Sequence, residues 1–149
     1  MKVLMVCLGN ICRSPLAEGI LKHKVAQNGL NWHIESAGTY GGHADEKPDK
    51  RSQKIAKKNG IDITDQRSRQ VRTFDFEEFD IIYAMDKSNF NNLRVMAENE
   101  EEKTKVKMIM NEISEDDIDV PDPYYGEYGF ENVFDMLDKA CNVIIEKYK

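Results

Sequence analysis

Two cysteines and an arginine lie within seven residues near the start of the chain. In the stretch VCLGNICRSPLAEG, Cys7 comes six residues before Arg13, and Ser14 follows the arginine directly. Gly9 and Asn10 are residue types that tolerate a positive φ, so the segment between cysteine and arginine can form a tight loop. A chain that needed only a strand-to-helix turn would rarely place these reactive groups in it, so the stretch points to chemistry.

A loop of this kind turns successive backbone N–H groups inward, and the helix that follows adds its own free N–H groups. The resulting ring suits a tetrahedral oxyanion, and the guanidinium of Arg13 can hold two of its oxygens. The same positive field favours the thiolate form of Cys7 and makes it a candidate nucleophile, which Ser14 can stabilise by donating a hydrogen bond. We predict that the loop binds the substrate through Leu8, Gly9, Asn10, Ile11, Cys12 and Ser14.

The stretch VPDPYYGEYG supplies a candidate acid. Thiolate attack on a phosphate ester expels an alkoxide or phenoxide, which a positioned acid should protonate. Asp122 lies between two prolines that stiffen its loop. Tyr124 and Tyr125 follow it and can form the walls of a slot for an aromatic ring. An Asp-Pro pair alone indicates only a turn, but together with the cysteine loop it predicts a general acid.

The pattern of apolar segments predicts a single α/β domain over residues 1–149. Strands are expected at 2–7, 32–38, 79–85 and 105–110, and helices at 14–29, 49–60, 88–97 and 130–148. In the first helix, Ser14 is expected at the cap and Pro15 at the first helical position. The last helix has the clearest apolar stripe: Phe130, Val133, Phe134, Leu137, Ala140, Cys141, Ile144 and Tyr148. Alternating strands and helices predict parallel pairing, and such sheets bind ligands beyond the carboxyl ends of their strands, where Cys7 lies.

Composition excludes several classes of protein. Hydrophobic residues make up 40% and charged residues 32%, as in a soluble globular protein, and no apolar run is long enough to span a membrane. The N-terminus is expected to be a strand rather than a signal peptide, which favours a cytoplasmic location. Three cysteines are too few for a disulfide framework and lack the spacing of a zinc site, so no metal is expected.

Charge and motifs narrow the possibilities further. The net charge is −6, and the absence of a basic stripe with interleaved aromatics argues against nucleic-acid binding. The acidic runs at 98–102 and 115–119 are expected to be solvated faces or loops. Neither a Walker loop nor a G-x-G-x-x-G motif is present, so no nucleotide or other cofactor is expected.

Four motifs together resemble the low-molecular-weight protein tyrosine phosphatases: VCLGNICRSPLAEG, SAGT, FDIIYAMDKSN and DPYYG. The resemblance covers essentially the whole chain, in the same order. It implies a four-stranded parallel sheet of order 2-1-3-4, flanked by helices on both faces, with a phosphate-binding loop after strand 1. It also implies a phosphotyrosine phosphatase, active on small aryl phosphates as well.

The resemblance assigns roles to individual residues. Cys7 would form a phosphocysteine intermediate, Arg13 would stabilise the transition state, and Asp122 would act first as the acid and then as the base that activates water. Ser36 would join Asn10 in a polar network that supports the loop. Asp86 matches a residue of the family that also supports the loop region. In relatives the second loop cysteine can bond to the nucleophile under oxidation, so Cys12 either protects Cys7 in this way or only packs beneath the loop. Tyr124 and Tyr125 match positions that are phosphorylated in some relatives.

The sequence departs from the family at two positions. Many relatives carry a histidine where this chain has Gln66, so the loop-supporting network is expected to be weaker or rebuilt. Relatives often have an aromatic residue where this chain has Gly42, which thins one wall of the slot unless Tyr40 leans in. Both changes concern substrate preference rather than the chemistry.

Three other activities remain open. Arsenate reductases share the scaffold but need further cysteines near the site, and this chain offers only Cys141 on an apolar stripe. Protein-arginine phosphatases usually have threonine at the position of Ile11, whose bulk suits a phenyl ring better. A non-catalytic phosphotyrosine-binding module or a phosphocarrier domain would not need Asp122. The expected partners are phosphotyrosine-containing proteins or peptides, with no nucleic acid and no membrane; a monomer is expected, with the oligomeric state left open.

Overall fold

A four-stranded parallel sheet forms the centre of the molecule. The structure is a computed structural model and describes residues 1–124 and 129–149. The strands are β1 (Lys2–Cys7), β2 (His33–Gly38), β3 (Ile81–Ala84) and β4 (Val106–Met108). They pair in parallel in the order β2-β1-β3-β4, which confirms the predicted order 2-1-3-4.

Helices connect the strands and cover the sheet. They are α1 (Arg13–Gln27), α2 (Lys50–Lys58), α3 (Asp75–Glu78), α4 (Lys87–Met96), α5 (Glu100–Lys105), a 3-10 helix (Ile109–Glu112) and α6 (Gly129–Tyr148). No helix in the described residues has the length and apolar character that a membrane span requires.

Alternate residues of β1 point to opposite faces of the sheet and build two cores. Val3 and Met5 pack with α1 and α6, while Leu4 and Val6 pack with α3 and α4. Helices therefore lie on both faces, as predicted. The stripe predicted for α6 is confirmed, since its six central members from Val133 to Ile144 are buried.

The start of α1 differs from the prediction. The helix begins at Arg13 with Cys12 at the cap position, and no side chain caps it. The prediction of Ser14 as the cap is therefore wrong: its hydroxyl lies 3.0 Å from the sulfur of Cys7 instead. No side chain therefore occupies the first N–H groups of α1, which remain free to bind an anion held by the preceding loop.

Candidate active site

The loop between β1 and α1 surrounds the sulfur of Cys7. Asn10 has a φ of 57°, the left-handed conformation that the sequence predicted for this loop. Its backbone N–H points at the Cys7 sulfur at 3.3 Å. Its side-chain amide donates to the Ser14 hydroxyl at 2.8 Å, which leaves the hydroxyl hydrogen of Ser14 free to donate to Cys7. Two hydrogen bonds therefore converge on the sulfur of Cys7.

The polar network extends beneath the loop to a buried carboxylate. The Asn10 amide also donates to the Ser36 hydroxyl at 2.9 Å, and Ser36 donates to Glu18 at 2.7 Å. The Asn10 carbonyl oxygen accepts the backbone N–H of Arg69 at 3.0 Å. Glu18 is 6% exposed and is paired with Lys22 at 2.6 Å. Each donor in this chain has one acceptor direction: Ser36 donates toward Glu18, and the Asn10 amide donates toward Ser36 and Ser14. The hydrogen of Ser14 is thereby directed to the nucleophile.

The guanidinium of Arg13 is held on one side by two acceptors. Its Nη1 donates to Asp86 at 2.7 Å and to the backbone carbonyl of Val120 at 2.9 Å. Asp86 also accepts the N–H of Asn89 at 2.8 Å as the cap of α4, so the carboxylate is itself fixed. Among the described residues, the other edge of the guanidinium has no hydrogen-bond partner and is available to two oxygens of an oxyanion.

A small pocket of about 100 Å³ opens above Cys7. Its lining includes Arg13 and Asp122, so the three residues predicted to be catalytic face one cavity. The Asp122 carboxylate accepts the backbone N–H of Tyr124 at 3.0 Å, which orients it at the start of its turn. The full lining is Cys7, Leu8, Gly9, Ile11, Cys12, Arg13, Asp122, Pro123 and Tyr124.

Tyr124 closes one side of the pocket and links three elements. Its hydroxyl lies 3.4 Å from the Cys12 sulfur and 3.2 Å from Asp49, while the guanidinium of Arg51 stacks over its ring at 4.5 Å. Burial raises the pKa of Cys12 to about 11, so Cys12 is a thiol that donates to Tyr124 at neutral pH. Neither Cys7 nor Cys12 forms a disulfide bond. Tyr125, also predicted to bind substrate, lies outside the described residues.

The segment after β2 lies against the rim of the loop. A Cβ at Gly38 would be 2.7 Å from the carbonyl oxygen of Leu8, so this close approach of two backbones requires glycine. The ring of Tyr40 fills the space where a side chain of Gly42 would begin. Tyr40 therefore leans over Gly42, but it is not among the residues that line the pocket. His43, which sequence analysis did not single out, packs against Gly9.

Gln66 does not take part in the Asn10 network. Its amide nitrogen donates to the carbonyl of Pro15 at 3.1 Å, near the start of α1. The buried end of the network is Glu18, balanced by Lys22, and sequence analysis found neither. A glutamate within a helical segment gives no sign of burial unless the packing of that helix is known.

A separate group of potential metal ligands lies away from this site. His33, Glu35 and Glu78 have ligand atoms within 4.8 Å of one another, where the start of β2 meets the end of α3. Arg69 lies 3.4 Å from Glu35, and Lys2 lies 4.0 Å from Glu78, so cations of the chain already balance these carboxylates.

The chain is similar over nearly its whole length to the proteins of one known family. The family model described as low molecular weight phosphotyrosine protein phosphatase matches residues 2–149. A Synechocystis protein that bears the name of a low molecular weight protein-tyrosine-phosphatase is 44% identical; the match covers 97% of this chain and 94% of that protein.

Solved structures share the whole fold. A protein tyrosine phosphatase from Entamoeba histolytica, with Hepes in its active site, superposes with a TM-score of 0.91 at 40% identity and covers 99% of this chain and 96% of its own. A Drosophila arginine phosphatase gives a TM-score of 0.91 at 36% identity and covers 100% and 98%.

Proposed function

Because the chain belongs to the low-molecular-weight phosphotyrosine protein phosphatase family, we propose that residues 1–149 form one catalytic domain that hydrolyses phosphotyrosine in proteins and peptides. The family is one of cysteine-dependent hydrolases and works through a cysteine–phosphate intermediate. The observation that carries the proposal is the single pocket shared by Cys7, Arg13 and Asp122.

In the first step, the Cys7 thiolate attacks phosphorus, an S–P bond forms and the bond to the aryl oxygen breaks. Asp122 gives its proton to the leaving phenoxide, and tyrosine is released. Arg13 and the inward N–H groups of the loop bind the equatorial oxygens of the phosphoryl group. The hydroxyl of Ser14, 3.0 Å from the sulfur, stabilises the thiolate before attack and again when it leaves.

In the second step, water attacks the phosphocysteine. The Asp122 carboxylate accepts a proton from this water, a P–O bond forms and the S–P bond breaks. Inorganic phosphate and the Cys7 thiolate are the products, and Asp122 is protonated again for the next turnover. No cofactor enters either step.

The decisive experiment is phosphate release from a phosphotyrosine peptide by the wild-type protein and by Cys7→Ser. We expect turnover by the wild type and its loss in the variant, because serine at neutral pH is a much weaker nucleophile than a thiolate. A wild-type protein that is inert on the peptide would contradict the tyrosine specificity. Retained phosphopeptide binding without any turnover would identify a binding module.

Phosphoarginine is the second candidate substrate, because a Drosophila arginine phosphatase shares this fold at 36% identity. Ile11 lines the pocket here, and its bulk favours a flat phenyl ring over a guanidinium. We expect Ile11→Thr to shift kcat/KM toward a phosphoarginine peptide, with Ile11→Val as the control of similar size. Arsenate reduction is disfavoured because Cys141 is fully buried and its pKa is raised by that burial to about 12.

A further inference from the structure

Helix α2 is strongly basic in a chain whose net charge is −6. Five of its nine residues are cations and none is acidic. These cations are Lys50, Arg51, Lys54, Lys57 and Lys58, and all five are exposed.

Three of these lysines form one stripe. Lys50, Lys54 and Lys57 recur at the spacing of four and three residues that places side chains on one helix face, opposite the buried face of α2. Arg51 is paired with Asp49 at 3.1 Å, and Lys58 with Glu131 at 3.4 Å. No ion pair of the stripe lysines is found within residues 1–124 and 129–149.

The stability of α2 does not account for this stripe. Cations in the first turn oppose the helix dipole, and like charges three or four residues apart repel each other. Lys50 lies in the first turn, where its charge opposes the dipole, and it also repels Lys54 four residues further along. Only Lys57, in the last turn, is placed favourably. An anion brought from outside would relieve both costs.

The stripe borders an open cavity of about 540 Å³ between α2 and the turn at residues 60–64. All three lysines line it, and the one acidic residue in its lining is Asp62. The Asp62 carboxylate is turned to its own loop, where it accepts the N–H and hydroxyl of Thr64 at 2.9 and 2.6 Å. The cavity therefore presents mostly positive charge to solvent.

The stripe starts beside the pocket above Cys7. Asp49, next to Lys50, donates its backbone N–H to the Ile11 carbonyl in the phosphate-binding loop at 2.7 Å. From Lys50 to Lys57 the helix rises about 10 Å, which is the length of about three residues of extended chain. A peptide whose phosphotyrosine occupies the pocket can therefore reach the stripe with its neighbouring residues.

On the Asp122 side of the pocket, the charged residues are paired with one another. Across Asp122, a second cavity of about 270 Å³ is lined by Asp86 and Asp119, together with Arg13. Arg13 and Asp86 are already paired with each other. Asp119 is likewise paired with Lys87 at 3.1 Å. Because the cations of this flank are already paired with carboxylates, an acidic peptide segment is attracted more strongly on the α2 flank, and the charge of the rim defines one direction.

We propose that the stripe of Lys50, Lys54 and Lys57 docks an acidic segment that lies within about five residues of the phosphotyrosine in the substrate. This inference rests on the proposed phosphotyrosine phosphatase activity. The stripe attracts acidic substrates and holds their flanking residues, while the chemistry stays with Cys7 and its loop.

The test compares two phosphotyrosine peptides of equal length, one with three flanking Glu residues and one with three Gln residues, each placed before or after the phosphotyrosine. At low ionic strength we expect the wild-type protein to prefer a Glu peptide about tenfold in kcat/KM, and added salt to reduce this preference. In K50Q/K54Q/K57Q the ratio should fall to about one. Hydrolysis of a small aryl phosphate reports whether the site of the variant is intact.

The matched control is K139Q/K147Q/K149Q, which removes the same charge from two exposed positions of α6 and from the exposed residue that follows it. It should keep the tenfold preference. Equal preference in the wild type and the α2 variant would overturn the proposal. So would a dimer that the α2 changes dissociate while both peptides are hydrolysed equally, since the stripe would then contact a second copy of the chain.

Failure of the phosphatase activity itself would show as no phosphate release from any peptide or aryl phosphate. The docking surface is then tested by binding of the Glu peptide to Cys7→Ser, measured by fluorescence anisotropy. The three α2 changes must weaken this binding about tenfold, and unchanged binding would contradict the docking surface.

Discussion

Asn10 determines how the groups around the nucleophile are arranged. Its amide donates to two hydroxyls and its carbonyl oxygen accepts a backbone N–H, all within 3.0 Å, while its own backbone is left-handed. Aspartate cannot donate these two bonds, and glutamine is one methylene longer. Asparagine alone combines this hydrogen-bonding pattern with tolerance of the left-handed conformation.

Replacing Asn10 should separate the contribution of its side-chain amide to activity from that of its left-handed backbone to stability. Asn10→Gly keeps a backbone that accepts a φ of 57° but loses the amide, and we expect kcat to fall roughly 10- to 100-fold because Ser14 is no longer oriented toward Cys7. Asn10→Ala should lose the same activity and unfold about 1 kcal/mol more easily than the glycine variant. Phosphate release and urea unfolding measure the two effects, and equal stability of both variants would argue against backbone strain.

If Asp122 is the general acid, replacing it should slow hydrolysis more for substrates with poor leaving groups than for substrates with good ones. We expect Asp122→Asn to lower kcat on a phosphotyrosine peptide by roughly 10² to 10⁴, and by less on an aryl phosphate whose phenol is more acidic. Asp119→Asn is the control, because that carboxylate is nearby but paired with Lys87 at 3.1 Å. An equal loss on both substrates would show that Asp122 is not the proton donor.

At the scale of single residues, the sequence predicted which side chains meet in the pocket better than it predicted the residues that support them. Cys7, Arg13 and Asp122 are recognisable because each has unusual neighbours in the chain, and all three line one pocket. Glu18 was missed because its burial follows from the packing of α1 rather than from any local pattern. The cap predicted at Ser14 was wrong because the loop turns its hydroxyl to the sulfur.

Among the elements, α2 connects the substrate side of the pocket to the phosphate-binding loop. Asp49 caps the helix by accepting the Arg51 N–H at 2.8 Å, and its other oxygen accepts the Tyr124 hydroxyl at 3.2 Å. Because Arg51 also stacks over Tyr124, a change at Asp49 should reach the pocket wall as well as the helix.

Asp49 should give the protein a measurable acid dependence. Burial opposes its ionisation, but the hydrogen bonds and charge of Arg51 and the bond from Tyr124 outweigh it and hold the pKa of Asp49 below its usual value. A pKa lowered in the folded state gives stability above the unfolded pKa of about 4 that is lost as pH falls through the folded pKa. We expect Asp49→Asn to lower stability by about 0.5 kcal/mol at pH 7, with the difference lost as the pH falls through the folded pKa of Asp49. Urea unfolding across this range measures it, and a constant difference would contradict the ion pair.

Two short helices, α3 and α5, were not predicted from the sequence. The run at 98–102 was expected to be a loop or solvated face, but α5 begins inside it, and Asn99 caps the helix by accepting the Glu102 N–H at 2.9 Å. A capping asparagine followed by acidic residues is a helix start favoured by the dipole, so this helix was predictable. The four-residue α3 has no such signal, since neither Phe74 nor any other side chain caps it.

In the molecule as a whole, much of the hydrophobic core lies away from the pocket, although Cys7 belongs to both. The core between the sheet, α1 and α6 contains the fully buried Leu137, while the pocket lies at the carboxyl ends of the strands. The alternation of strands and helices predicted the parallel sheet, and family resemblance supplied its order. The contrast between the basic α2 flank and the charge-paired flank beside Asp122 was not predicted, because it depends on which loops the fold brings to one rim.

Core truncation should therefore cost stability and spare chemistry. We expect Leu137→Ala to lower the free energy of unfolding by roughly 2 to 5 kcal/mol, with kcat on an aryl phosphate within about twofold of the wild type under native conditions. Val95→Ala, at a position 85% exposed, should change stability by less than about 0.5 kcal/mol. A large loss of kcat in a folded Leu137→Ala protein would show that core and site are coupled.

The central claim is that phosphate passes through Cys7, and trapping the intermediate tests it most directly. The protein is mixed rapidly with an aryl phosphate, quenched by denaturation, digested and analysed by mass spectrometry. We expect a phosphoryl group on Cys7, more of it in Asp122→Asn because attack by water is slowed, and none in Cys7→Ser. Turnover without phosphocysteine, or with the phosphoryl group on Cys12, would contradict the account.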